Sequence, residues 1–335
     1  MKRNSVFAAM SSLALLLTGC AGTGTATESK PDLPAVTTEA PAETVVTTEP
    51  APEEKSLVTL GDSIAFGYGM DDPDEQRYSA IVSKALTERD GISWHDYNYA
   101  LSGDDSADLL WRLQKGRAMH LPSADTIIIN IGSNNLLGVY TDYVKEQVDY
   151  EDIDIESITD EQIEEMQTKI EDAFSDEETV RKELESRIDE SLTQMESDLE
   201  EIYTWIRERN ETADIYVLNI YNPYRGIESA GMPGTTEDFG TYAQTQIDRA
   251  NAILTAFIDK HSDLIPVDIA EAFANCDPIP IVGAMTAELP TDSAAENSAE
   301  TSESASLREM DYIDPHPNED GQQLIAKTIL AKMGL

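Results

Sequence analysis

Ser63 and His316 have the surroundings that nucleophilic catalysis requires. The apolar run Leu57-Val58-Thr59-Leu60 stops on Gly61-Asp62-Ser63, and two more glycines follow at 67 and 69. That pattern fits a strand ending in a tight turn that hands over to a helix. A serine there stands exposed at the carboxyl edge of a sheet. A turn without chemistry has the same three letters, so a base is needed elsewhere. The chain has four histidines: His95, His120, His261 and His316. His95 lies in a strand candidate, His120 before one, and His261 near a helix end, which are ordinary places for structural or surface histidines. His316 stands in Asp311-Tyr312-Ile313-Asp314-Pro315-His316-Pro317-Asn318. Pro317 biases it toward extended backbone, and Asn318 caps the helix that Gly321 begins. A carboxylate two residues earlier, Asp314, reaches the same side of an extended chain. It would orient the imidazole and stabilise its protonated form.

Acyl transfer also needs donors for a tetrahedral oxyanion. Ser102-Gly103-Asp104 follows Tyr97-Asn98-Tyr99-Ala100-Leu101, and its glycine lets a backbone N–H approach a ligand closely. Gly132-Ser133-Asn134-Asn135 follows another apolar run, and an asparagine there offers a side-chain N–H. All of these segments follow strand candidates, at the edge where open α/β sheets bind ligands.

The elements that must hold these residues alternate between short apolar runs and helical patterns. Strands are expected at 57–60, 94–100, 126–131, 215–220 and 264–267, and helices at 78–86, from 107 to 113, and at 322–333. The run Thr126-Ile127-Ile128-Ile129-Asn130-Ile131 reads as a strand buried on both faces. The alternation predicts a parallel sheet covered on both sides. An acidic stretch from about 142 to 210, expected to be a helical insertion in the domain, carries an apolar stripe at steps of three and four, from Ile163 to Phe174 and from Val180 to Ile206. It predicts two helices with a carboxylate face toward water, with capping boxes at Thr159–Gln162 and Ser175–Glu178. An elaborated crossover is the simpler reading of the stretch, and a cap beside the site the sharper one. The Ser-, Ala-, Thr- and Glu-rich segment 286–307 is expected to be a flexible loop.

These motifs, in order, resemble the SGNH hydrolases, also called GDSL esterases and lipases. Gly61-Asp62-Ser63 resembles the first block, and Asn98 to Gly103 the second, N-x-x-x-S-G. Gly132-Ser133-Asn134-Asn135 resembles the third, usually G-x-N-D, and Asp314-Pro315-His316-Pro317-Asn318 the last, usually D-x-x-H-P-N. The resemblance covers residues 56–335 apart from the acidic stretch and the 286–307 loop. It implies a flavodoxin-like three-layer α/β sandwich with a central parallel sheet. It implies Ser63 as nucleophile, His316 as base, and an oxyanion hole of the Ser63 N–H, the Gly103 N–H and the Asn134 side chain, with no metal and no cofactor. Two departures stand out. Asn135 replaces the usual aspartate, and one residue rather than two separates Asp314 from His316. Asp314 is the expected third member, with Asp311 as competitor.

The front of the chain is not fold. Lys2 and Arg3 precede an apolar stretch, and Leu17-Thr18-Gly19-Cys20 follows. This is a secretory signal over 1–19, too short for an ordinary span. Its ending resembles the bacterial lipobox, which implies a diacylated Cys20 and a lipoprotein anchored on the outer face of the cell membrane. Residues 20–55 are rich in Thr, Pro, Ala and Glu and are expected to form a disordered tether. The second cysteine, Cys276, then has no disulfide partner and is expected to be a quiet structural thiol. The net charge of -42, from 65 acidic and 23 basic residues, excludes nucleic acid as a partner. The expected function is a cell-surface serine esterase acting on short acyl or acetyl esters, including acylated glycans. An aromatic content of 7% argues against an interfacial lipase. The alternatives are a lysophospholipase or thioesterase of the same fold, and a non-catalytic glycan-binding lipoprotein.

Overall fold

A computed structural model describes residues 54–148, 160–226, 238–290 and 307–335. The signal, Cys20, most of the tether and the Thr159 cap lie outside these residues. In chain order the elements are β1 (Glu54–Gly61), α1 (Ser63–Phe66), α2 (Pro73–Gln76), α3 (Tyr78–Asp90), β2 (Ser93–Asn98), α4 (Ser106–Gln114), β3 (Thr126–Asn130), α5 (Asn134–Val148), α6 (Asp160–Ala173) and α7 (Glu177–Arg207). There follow β4 (Asp214–Leu218), α8 (Phe239–Lys260), β5 (Leu264–Val267), α9 (Ile269–Ala274), β6 (Ile281–Pro290), β7 (Leu307–Pro317) and α10 (Glu319–Lys332). β1 begins at Glu54, so the last two residues assigned to the tether are strand.

Five strands form one parallel sheet in the order β2-β1-β3-β4-β5. This is the flavodoxin-like order, whose chain direction switches between β1 and β3. Alternate residues serve opposite faces. Val58, Leu60, Ile127, Ile129, Ile215 and Val217 join a core with residues of α4, α7 and α8. Leu57, Ile128, Tyr216 and Leu218 join a second core with α3, α9 and α10. The result is the three-layer sandwich with helices on both sides of the sheet.

The acidic stretch does not behave as one insertion. Asp142–Val148 finishes α5. Ile188, Leu192, Met195, Leu199, Ile202 and Ile206 of α7 are buried in the sheet core, so α7 is the β3–β4 crossover itself. What is added is α6, which packs on α5, and the first turns of α7. The α7 N-cap is Asp176, whose carboxylate accepts from Thr179 N at 3.2 Å. Ser175 instead donates its hydroxyl to Asp172 O at 2.6 Å. A carboxylate accepts the cap bond and also suits the positive end of the helix, so Asp176 displaces Ser175 from that role. Most of the expected 286–307 loop, residues 291–306, lies outside the described residues. Residues 286–290 belong to β6 and pair antiparallel with β7, Thr286 opposite Asp311 and Pro290 opposite Leu307.

Candidate active site

The Gly61-Asp62-Ser63 turn is built by close approach. Gly61 has φ +158, and a Cβ there would fall 2.2 Å from Asn130 O and 2.8 Å from Ala65 Cβ. Only glycine lets β1 end against β3 in this way. Asp62 then caps α1, its Oδ1 accepting from Ile64 N at 2.9 Å. Gly67, at φ 84, ends α1 after a single turn. Ser63 is thereby the first helical residue beyond the carboxyl end of β1.

His316 reaches it from the end of β7. Its Nε2 lies 2.8 Å from Ser63 Oγ, and its Nδ1 lies 2.6 Å from Asp314 Oδ1. A carboxylate is acceptor-only, so Nδ1 carries the proton and donates to Asp314. That leaves the Nε2 lone pair to accept from the Ser63 hydroxyl. The same Oδ1 accepts from His316 N at 2.9 Å, so Asp314 shapes the backbone and aims the ring with one oxygen. Pro315 between them leaves both side chains on the site side, and the carboxylate at Nδ1 is Asp314. Asp311 sits three residues earlier, with its backbone opposite Thr286. The Tyr68 ring packs on the imidazole at 4.5 Å between centroids.

The oxyanion candidates lie just after β2 and β3, at the same carboxyl edge of the sheet as Ser63. Gly103 is exposed and has φ +88, and a Cβ there would meet nothing within 4 Å. Its requirement is thus the left-handed backbone and not space. Asn134 opens α5, and its Nδ2 donates to Asp104 O at 2.9 Å, which leaves a second N–H. Leu101 N donates to Gly61 O at 3.0 Å. Asn98 Nδ2 donates to Ala65 O at 2.7 Å and so joins the second block to α1.

Two buried carboxylates sit beside these donors. Burial pushes Asp62 up from 3.8 to about 6, against the lowering effect of its Ile64 N–H bond, of His316 and of Ser133. Burial likewise lifts Asp104 to about 6, opposed by its ion pair with Arg112.

Three contributors have no signal in the sequence. Tyr221 donates to Pro315 O at 2.7 Å, beside His316. Gln322, fully buried on α10, accepts from Tyr78 N at 2.9 Å and donates to Ile64 O at 3.1 Å. Asp198 of α7 lies behind the third block and accepts from Ser106 Oγ at 2.8 Å. Tyr221 and Asp198 are common residue types far from any motif, and Gln322, four residues past Asn318, is a common type on an expected helix, so only the fold brings them in. The remaining histidines lie elsewhere. His95 is 3.3 Å from Glu54, His120 stacks on Tyr97 at 3.6 Å, and His261 is 3.0 Å from Glu200. Cys276 is a free thiol, half-buried, 3.5 Å from Ala272 O.

Comparison with known proteins gives the same fold. The chain is 17% identical to the lipase Lip_vut3 from a goat rumen metagenome, covering 83% of this chain and 97% of that one, with a TM-score of 0.51. It is 17% identical to phospholipase A1 from Streptomyces albidoflavus NA297, covering 83% and 99%, with a TM-score of 0.50. A curated relative, the uncharacterized protein YpmR of Bacillus subtilis (strain 168), is 23% identical over 267 residues, 78% of this chain and 81% of that protein. The sequence pattern of the GDSL-like lipase/acylhydrolase family matches residues 59–324, a span that runs from the end of β1 into α10 and takes in every block around Ser63 and His316. The chain therefore belongs to the GDSL-like lipase/acylhydrolase family.

Proposed function

We propose that this hydrolase is a serine esterase that removes short acyl groups, acetyl included, through an acyl-enzyme. The observation that carries the reading is the unbroken hydrogen-bond chain Asp314–His316–Ser63, at 2.6 and 2.8 Å. His316 Nε2 takes the Ser63 proton as Oγ attacks the ester carbonyl. Asp314 holds the tautomer and stabilises the imidazolium that forms. The Ser63 and Gly103 N–H groups and the free N–H of Asn134 receive the oxyanion. His316 then protonates the leaving alcohol. Water, deprotonated by the same nitrogen, releases the acid and regenerates Ser63.

Phe66 and Leu101, 40% and 49% exposed, hang from the segments joined by the Leu101–Gly61 and Asn98–Ala65 bonds. They offer a small acyl group a short apolar contact. An open cleft of about 340 Å³ lies at the carboxyl ends of β4 and β5, lined by Asn219, Asn222, Arg225, Gln244, Asp268 and Glu271 among others. Its amides, carboxylates and guanidinium suit an alcohol rich in hydroxyl groups, such as a glycan. With the lipobox-like Leu17 to Cys20, the reading extends to an exported enzyme held to the outer face of the membrane by lipid on Cys20.

The test is active-site titration with a fluorophosphonate, followed by turnover of p-nitrophenyl esters of increasing chain length. One label per chain on Ser63, with kcat/KM highest for the acetyl or butyryl ester, is expected. No labelling would leave a binding protein, and a maximum at long chains would favour a lipase or phospholipase.

A further inference from the structure

One face of α7 is apolar, yet it carries a carboxylate into the protein interior. Asp198 is 2% exposed, between Met195, Leu199 and Ile202 in the core. Each oxygen has one donor. Oδ2 accepts from Ser106 Oγ at 2.8 Å, and Oδ1 from Gln194 Nε2 at 2.6 Å. An ion in such a place does little for stability that a leucine would not do. What it supplies is direction.

The direction passes to the third block. The Ser106 proton is committed to Asp198, so Ser106 Oγ offers only lone pairs, and Asn135 Nδ2 donates to it at 2.9 Å. Asn135 Oδ1 in turn accepts from Ser106 N at 3.1 Å. The amide of Asn135 cannot flip without setting donor against donor. Ser191, also on α7, donates to the Asn135 carbonyl at 2.8 Å. Residue 135 is thus held to α7 by both side chain and backbone. Its neighbour Asn134 is fixed on Asp104 O, two residues before Ser106. Two oxyanion-side segments and the crossover helix are therefore tied into one polar unit.

We propose that Asp198 is a positioning residue for hydrolysis: through Ser106 and Asn135 it sets where the Asn134 amide stands. The proposal rests on reading Asn134 as an oxyanion donor. A donor displaced by a few tenths of an ångström is weakened chiefly in the transition state, so the effect falls on kcat and not on KM.

The experiment is a charge relocation read with p-nitrophenyl acetate. Asp198→Asn should lower kcat roughly tenfold, with KM within about twofold. Asn135→Asp alone should lower kcat at least as much, because two carboxylates then compete for one hydroxyl proton. The double variant Asn135→Asp with Asp198→Asn reverses both bonds of the Ser106 hydroxyl and keeps the others. The amide now at position 198 donates to Ser106 Oγ, Ser106 donates to the carboxylate now at position 135, and Gln194 keeps its acceptor. Recovery of kcat to within about threefold of the parent is expected. A parental kcat in Asp198→Asn overturns the proposal, as does a folded double variant no better than the worse single. Should Asp198→Asn not fold, Ser106→Ala reads the same link, and an unchanged kcat there overturns it equally. Asn134→Ala separates the two readings. If it keeps the parental kcat, the oxyanion assignment fails; if it alone loses activity, only the role of Asp198 fails.

Discussion

Ser63 and His316 arrive at one hydrogen bond from opposite kinds of structure. β1 is paired on both sides, with β2 and β3, and its Leu57, Val58, Thr59 and Leu60 are fully buried. Among the described residues β7 is paired only with β6, in a two-stranded antiparallel ribbon apart from the main sheet. Ser63, the proposed nucleophile, is held by burial. His316, the proposed base, is held by individual bonds: Asp314 on its ring, Tyr221 on Pro315 O, and Asn318, which accepts from Gly321 N at 3.0 Å and donates to Ile281 O at 3.0 Å. α10 then docks the ribbon's end through Ile325 and Ile329, which are fully buried. Perturbing the first arm should therefore cost fold or chemistry outright. The second can be loosened one bond at a time.

The largest effect tests whether the two arms meet at the reacting atom. Ser63→Ala should lower hydrolysis of p-nitrophenyl acetate at least about a thousandfold with the thermal midpoint preserved. Near-parental rates would separate the arms from the chemistry. Next comes the base arm. Asp314→Asn should lower kcat roughly ten- to ten-thousandfold, the upper end corresponding to a histidine left in the wrong tautomer. Asp311→Asn should cost less than about threefold. A larger defect in Asp311→Asn would mean that the ribbon turns differently around Pro315.

The buried arm has a cost of its own, read in stability. Asp62 keeps its proton in the native state up to about pH 6, whereas an unfolded aspartate loses it near 3.8. Between those values the native state binds more protons, so the contribution of Asp62 to stability falls as pH rises. The displacement corresponds to roughly 3 kcal/mol above pH 6. Asp62→Asn keeps a side-chain cap for α1 and removes the ionisation. In urea unfolding it should match the parent near pH 3.5 and exceed it at pH 7. Equal midpoints at both pH values would contradict the assignment. The smallest effect is expected outside both arms. Replacing Tyr150–Ala173 by a short Gly/Ser linker removes α6 and leaves α7 on the sheet, so kcat/KM for a small ester should stay within about threefold. A folded, inactive deletion would place α6 among the parts that build the site.

The same contrast explains what could be read from the chain. All five strands of the sheet were legible, because apolar runs such as Thr126–Asn130 leave few other options. The ends of those runs located Ser63, Gly103 and Asn134. The ribbon was not legible: Thr286–Pro290 and its flanks show no alternation, because a two-stranded ribbon outside the sandwich needs no buried face. The acidic stretch gave its two helices but not their division of labour. Periodicity shows that α7 has an apolar face, not that this face covers β3 and β4. Asp198 passed unnoticed for the same reason, as one more acid on an acidic helix.

The direction of β1 has a further consequence. The strand enters at Glu54, runs eight residues to Gly61, about 23 Å at ordinary strand rise, and delivers Ser63 just beyond that end. Whatever precedes residue 54 is thus joined to the pole of the molecule opposite the chemistry. Under the proposed lipid attachment at Cys20, the proposed esterase site therefore faces away from the point of attachment.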